Sequence, residues 1–347
     1  MAAKKNWRGI NRWKDTIIYI PYYVKGEKNN EYTLNMINIL KEKYTVTGML
    51  SSPSDIVQLL KTRAIFLNWI ETDLDIKMKS QLFFYKLAGA KIIWVFHNKY
   101  PHDADCEGRI TDNMHWLARH SSVILLHSKS SKKYIPDAVH NGHKAVYIPH
   151  VLYRQYSGIK NTDVFRESNG IGEHDFVFTV FGMIRPYKNI ESAIEAFKNL
   201  HLKNAWLYVA GNPSSKDYAQ KILNLCREER NIILDLHYLS NVQMDRVLEN
   251  SDVIVLPYKD KSSMNSGVMI QSFSKGKTVI APDICMAKDL ASGGFFYMYH
   301  GCLEKVMWKA YENGKSVNKK MGEQAQKYVI KYNSREAVEN IIFKILK

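Results

Sequence analysis

Short, unbroken apolar runs alternate along this chain with segments whose apolar residues recur at helical spacing. In the first half the runs fall near residues 16–23, 44–49, 64–69, 91–97, 123–127 and 145–148. In the second they fall near 176–181, 205–210, 232–237, 253–257, 278–281 and 295–298. Runs of this kind predict parallel strands covered on both faces. Pro21 sits where the first strand should end, since proline cannot donate to a ladder. Between runs, Ile190, Ala193, Ile194, Phe197 and Leu200 share one helical face. Near the C-terminus a helix is expected around 322–332, and Asn333 with Glu336 reads as a capping box opening another. The rhythm predicts an α/β chain of two Rossmann-like halves, parting near 153–174.

Length agrees with two domains, because 347 residues exceed one typical core. No apolar run reaches the length of a membrane span, and the basic N-terminus lacks a signal-peptide apolar stretch. Cys106, Cys226, Cys285 and Cys302 are scattered, without a Cys-x-x-Cys pair, so neither a zinc site nor a disulfide framework is implied. The expectation is a cytoplasmic protein. The net charge of +15 is uneven: residues 1–160 hold 24 Lys and Arg against 13 Asp and Glu. That excess suggests an anionic partner, a membrane surface or a phospholipid-linked substrate. Nucleic acid is not expected, because no recognition motif accompanies the charge. Lys4, Lys5, Arg8, Arg12 and Lys14 are interleaved with Trp7 and Trp13, a mixture suited to the headgroup level, so peripheral contact with the inner face of the cytoplasmic membrane is a further expectation.

The chemistry concentrates in Phe181-Gly182-Met183-Ile184-Arg185-Pro186-Tyr187-Lys188, which follows one apolar run and precedes a helix. Ligands of open α/β sheets bind at the carboxyl ends of strands. A glycine there, with an Arg fork and a Lys point charge, suits a diphosphate. A second segment, Ser263 to Ile280, joins a polar Ser/Asn/Gly turn to a helix whose first N–H groups can cradle phosphate.

The Gly-x-x-Arg-Pro-Tyr-Lys loop resembles the diphosphate-binding loop of retaining family-4 glycosyltransferases, among the glycosyl transferases group 1, with the GT-B fold. The resemblance runs over roughly residues 15–345. It implies two facing Rossmann-like domains. Residues 1–160 would bind the acceptor, with 333–347 returning to them as a crossing helix, and 161–332 would bind the nucleotide-sugar donor. Arg185, Lys188 and His97 take catalytic roles by this resemblance. Gly182, Gly211, Tyr238, Leu239, Ser266, Gly267, Val268 and Gln271 bind the donor. Gly26, Asn30, Tyr32, His102 and Asp103 line the acceptor side. Trp69, Glu71 and His150 occupy similar strand-end positions.

The sequence departs from the family where two glutamates are usual: Ser263 and Gln271 stand there. An amide can still bond a ribose hydroxyl. The implied reaction moves a sugar from a nucleotide-diphosphate donor to a glycan or lipid-linked saccharide, with retention and without metal or other cofactor. The triplets Asp73-Leu74-Asp75 and Asp103-Ala104-Asp105 are read as surface acids. A nucleotide-sugar epimerase of the same fold is an alternative, and a non-catalytic nucleotide-sugar or anionic-polymer binding protein would fit the lost carboxylates.

Overall fold

The computed structural model describes residues 14–22, 31–49, 56–100, 110–153, 162–259 and 263–347. The chain divides into two compact units. The first comprises Met1–His127, Ser131–Val151 and Arg335–Lys347, and the second Ser128–Ser130 and Leu152–Ser334.

The first unit is built on strands β1 (Thr16–Ile20), β2 (Thr45–Thr47), β3 (Thr62–Asn68), β4 (Lys91–Val95), β5 (Val123–Leu126) and β6 (Ala145–Tyr147). Its helices are α1 (Glu31–Leu40), α2 (Ile56–Lys61), α3 (Ile76–Leu87), α4 (Asp112–His120) and α5 (Ala138–Asn141). The strands form one parallel sheet in the order β2-β1-β3-β4-β5-β6. Ile17, Ile18, Tyr19, Trp94 and Val95 are fully buried, which is why these runs lack polar alternation.

The second unit holds α6 (Thr162–Ser168), β7 (Phe176–Phe181), α7 (Ile190–Asn199), β8 (Ala205–Ala210), α8 (Lys216–Leu225), β9 (Ile232–Asp235) and α9 (Asn241–Glu249). It continues with β10 (Val253–Val255), α10 (Gly267–Ser274), β11 (Thr278–Pro282), α11 (Cys285–Leu290), β12 (Tyr297–Tyr299) and α12 (Leu303–Tyr332). Its parallel sheet runs β12-β11-β10-β7-β8-β9. Phe176, Phe178 and Val180 bury on one side of it and Val177 and Phe181 on the other.

A last helix, α13 (Arg335–Ile345), belongs to the first unit. Val338 and Ile342 pack there with Ile17, Met36 and Leu40. Arg63 Nη1 and Lys91 Nζ donate to the carbonyls of Leu346 and Ile345, at 3.0 and 2.7 Å. Helix ends present unsatisfied carbonyls, and these two cations meet them.

One sequence expectation is extended and another corrected. The helix expected around 322–332 is the later part of α12; Leu303, Met307 and Ala310 bury at helical spacing in an earlier part, and Gly314, at φ 69° and ψ 172°, breaks the helix between the two. Asn333 does not open the next helix. It closes α12, donating its N–H to Val329 O at 2.8 Å, and α13 starts at Arg335, which puts Ser334 and not Asn333 directly before its first residue.

Candidate functional site

In the second unit, β7 and β8 end side by side on two glycines. Gly182 (φ 100°) donates its N–H to Ala210 O at 3.0 Å, and Gly211 (φ 150°) donates to Asp235 O at 2.9 Å. A Cβ on Gly211 would stand 1.8 Å from Gly182 O, so the two backbones touch and only glycine fits. The loop is then fixed by Ile184 N donating to Asn212 O and Ser214 N to Ile184 O, both at 2.9 Å. Pro186–Lys188 forms one 3-10 turn, and Asn189, left-handed at φ 52°, redirects the chain into α7.

The two cations of this loop differ in burial: Arg185 is exposed, but Lys188 is buried, at 7% exposure. A methyl placed on Gly182 would lie 3.3 Å from Lys188 Nζ and 3.4 Å from a Val268 methyl. The ammonium also sits 5.7 Å from the centre of the Tyr258 ring. Among the described residues no carboxylate lies within ion-pair distance of it. Burial, reinforced by the Arg185 charge, pulls its pKa down to about 8.

Helix α10 starts at the same corner. Ser266 caps it, accepting from Met269 N at 3.2 Å, and its hydroxyl lies 3.1 Å from Tyr258 OH. Gly267 and Val268 form the first turn, where N–H groups have no intrahelical acceptor. Gly182, Gly211, Arg185, Lys188, Ser266, Gly267 and Val268 therefore share one corner, at the carboxyl ends of neighbouring strands β7, β8 and β10. Tyr238 and Leu239 follow β9, the edge strand; Tyr238 is 47% exposed and Leu239 is buried. Gln271 is half-buried on α10, its amide nitrogen 3.9 Å from Met244 Sδ on α9. Ser263 is buried.

In the first unit the carboxyl ends of four consecutive strands carry Asn68 and Trp69, His97, His127 and His150. The Tyr32 ring, from α1, is 5.1 Å from His97, 5.1 Å from His127, 5.2 Å from His150 and 5.8 Å from Trp69 between centres. Trp69 has left-handed backbone (φ 46°), uncommon for so bulky a residue, and stacks on His97 at 4.2 Å. Hydrogen bonds fix the rings. His97 Nε2 donates to Asn68 Oδ1 at 3.2 Å, and His127 Nδ1 donates to Ile148 O at 3.0 Å. His150 Nδ1 donates to Val151 O at 3.1 Å. Burial lowers all three pKa values, to about 3 for His127 and about 4 for His150. The neighbouring histidines add to the effect on His97 and His127.

Tyr32 is wholly buried, so it reaches a ligand only through the rings around it. Glu71 is buried too, accepting from Trp94 Nε1 at 3.1 Å, and burial raises its pKa. Gly26, Asn30, His102 and Asp103 lie outside the described residues, as does the basic segment around Trp7 and Trp13. His127 was absent from the sequence-derived candidates. The signal was there: Val-Phe-His, Leu-Leu-His and Ile-Pro-His each end an apolar run on histidine.

The family described as "Glycosyl transferases group 1" matches residues 161–340, just over half of the chain. A GDP-mannose:glycolipid 4-beta-D-mannosyltransferase of Xanthomonas campestris pv. campestris is 27% identical over 125 residues, 35% of this chain and 35% of that protein. The match thus spans about a third of the length of that curated relative. Anabaena HepE in complex with UDP-glucose superposes with a TM-score of 0.72 at 13% identity, covering 95% of this chain and 99% of that one. A glycosyltransferase from Rickettsia africae gives a TM-score of 0.71 at 14% identity, covering 96% and 98%. At these identities the structural likeness speaks for the fold: two Rossmann-like parallel sheets of the GT-B kind.

Proposed function

The chain belongs to the glycosyl transferases group 1 family, and from that membership we propose that it moves a sugar from a nucleotide-diphosphate donor to a glycan or lipid-linked saccharide. The observation that carries this reading is the buried Lys188 ammonium. It lies beside Gly182 and the first turn of α10, with no carboxylate in ion-pair reach among the described residues. A buried cation is costly unless an anion joins it. A diphosphate supplies that anion.

In this reading Lys188 and Arg185 stabilise the charge that develops on the diphosphate as the glycosidic bond breaks. Such a contact is strongest in a site shielded from water. The backbones at Gly182 and Gly211 let the phosphates approach closely, and Gly267 and Val268 offer N–H groups. Tyr238 and Leu239 hold the base, and the Gln271 amide the ribose. His97, kept neutral by burial, orients sugar or acceptor by hydrogen bonding. Gly26, Asn30, Tyr32, His102 and Asp103 shape the acceptor side.

We further propose retention: the acceptor hydroxyl enters on the face the diphosphate leaves, and a donor phosphate oxygen takes its proton. Two cations and a helix N-terminus make a divalent metal unnecessary. A cytoplasmic location would give access to nucleotide sugars. GDP-mannose and UDP-glucose are the first donors to test, being those in the names of the Xanthomonas relative and the Anabaena complex.

The test joins two measurements. Thermal unfolding is followed with GDP, UDP and their sugars, since a ligand at a hundred times its Kd stabilises the folded state by about 2.7 kcal/mol. Product from the stabilising donor and a lipid-linked saccharide is then analysed by NMR for anomeric configuration. Stabilisation plus a glycoside of unchanged configuration supports the reading. No shift with any nucleoside diphosphate or sugar sinks it, and an inverted product overturns retention alone.

A further inference from the structure

Helix α3 is amphipathic in the wrong sense for a free surface. Its inner side buries Leu82 and Tyr85. Its outer side carries Ile76 (82% exposed), Phe83 (50%), Phe84 (58%) and Leu87 (68%). At 100° per residue, Phe83, Ile76, Leu87, Ser80 and Phe84 form one continuous stripe. Lys77 borders that stripe on one side, and Lys79 and Lys86 on the other. The adjacent helix α2 extends the patch with Ile56 (64%), Val57 (59%) and Leu60 (58%), followed by Lys61. The Tyr85 hydroxyl donates to Gln58 Oε1 at 2.8 Å, which ties the two helices together. Neither helix contains an acidic residue. The described lysines Lys61, Lys77, Lys79 and Lys86 make no ion pair with a described carboxylate.

Seven large apolar side chains clustered on one exposed surface mark an interaction site. We propose that this α2–α3 face docks the protein on an anionic lipid bilayer. A stripe of aromatic and aliphatic residues bordered by lysines is the composition of a helix lying in the interface plane. The apolar stripe enters the headgroup–acyl boundary while the lysines meet anionic headgroups. A second copy of the chain fits less well, because a two-fold contact through this face would set the lysine borders of two copies against each other, and the described carboxylates nearest in sequence, Asp73 and Asp75, stand at one end of α3 and not along its stripe. This face is formed by residues 56–61 and 76–87. It lies wholly in the first unit, and it does not depend on the donor chemistry proposed for the second.

The experiment uses the full chain and flotation with two kinds of vesicle, phosphatidylcholine alone and phosphatidylcholine with phosphatidylglycerol. Wild type should float with the anionic vesicles and dissociate as salt rises. Phe83→Ser/Phe84→Ser should weaken partition at least tenfold. Lys77→Gln and Lys79→Gln should each weaken it about fivefold, on anionic vesicles only. These side chains are exposed, so circular dichroism and melting temperature should match wild type, as should donor binding by thermal shift. Unchanged flotation of the Phe pair variant would overturn the proposal, and so would no flotation of wild type. Concentration-dependent dimerisation in sedimentation, lost in the Phe pair variant, would reassign the face to a second copy.

Discussion

The Tyr32 hydroxyl donates to Nε2 of His127 at 2.9 Å, because Nδ1 of that ring already donates to Ile148 O at 3.0 Å. The Ile148 carbonyl thus sets the proton position on His127, and one buried tyrosine from another element satisfies the nitrogen left bare. Tyr32→Phe removes the donor and leaves a buried acceptor, which costs about 1–3 kcal/mol. Urea unfolding of Tyr32→Phe, His127→Leu and the double variant should show costs that fall short of additive. Full additivity would mean that the pair is not coupled.

The three histidines make the fold acid-sensitive. Burial holds His127 at about 3 and His150 at about 4, and lowers His97 well below the usual 6.5. Above pH 6.5 these rings are neutral folded or unfolded. Below it the unfolded chain takes up protons that the folded chain refuses, so stability falls as pH drops from 6.5 toward 4. Each histidine contributes about 1.4 kcal/mol per pH unit, or about 4 for the three. Unfolding free energies at pH 7, 6 and 5 check the slope, and His150→Asn should reduce it by about one proton's worth.

Lys188→Met keeps the packing and removes the buried charge. Turnover should drop about a hundredfold, some 2.7 kcal/mol, while the ligand-free protein melts at the same or a higher temperature. Nucleoside diphosphate should stabilise wild type and not the variant. Donor affinity of wild type should decline as pH rises through about 8, where the ammonium loses its proton. Ligand-free stability should move the other way. Between about 8 and 10.5 the unfolded lysine keeps a proton that the folded one has lost, so stability rises with pH.

Gly211→Ala should be far worse than an ordinary glycine replacement. Its φ of 150° and the 1.8 Å approach to Gly182 O leave no room for a methyl. A loss of more than about 2 kcal/mol is expected, with donor-induced stabilisation abolished. Gly294→Ala, also at positive φ but with nothing within 4 Å, is the control and should lose only the backbone cost.

Activity should persist in excess chelator. Asp75 is engaged as the cap of α3, accepting from Met78 N at 2.7 Å. Loss of turnover with chelator, restored by manganese, would reverse that expectation.

The sequence by itself determined the strands and singled out the Gly182-to-Lys188 loop. A run such as Phe176–Phe181 is apolar at every position because both faces of a parallel strand are covered, and that local pattern needs no knowledge of the neighbours. The Gly182-to-Lys188 loop was legible for the same reason, since its chemistry is contiguous. Tertiary structure decided the rest. Whether Lys188 is buried depends on Tyr258 and Val268, some seventy and eighty positions away in the chain. The outward stripe on α3 has the same helical period as a core-facing one, so only packing shows which side meets solvent. The gathering of His97, His127 and His150 around Tyr32 follows from strand order. Periodicity predicts strands one at a time, while their order in the sheet depends on the non-local pairing of backbones and on which helix covers which face.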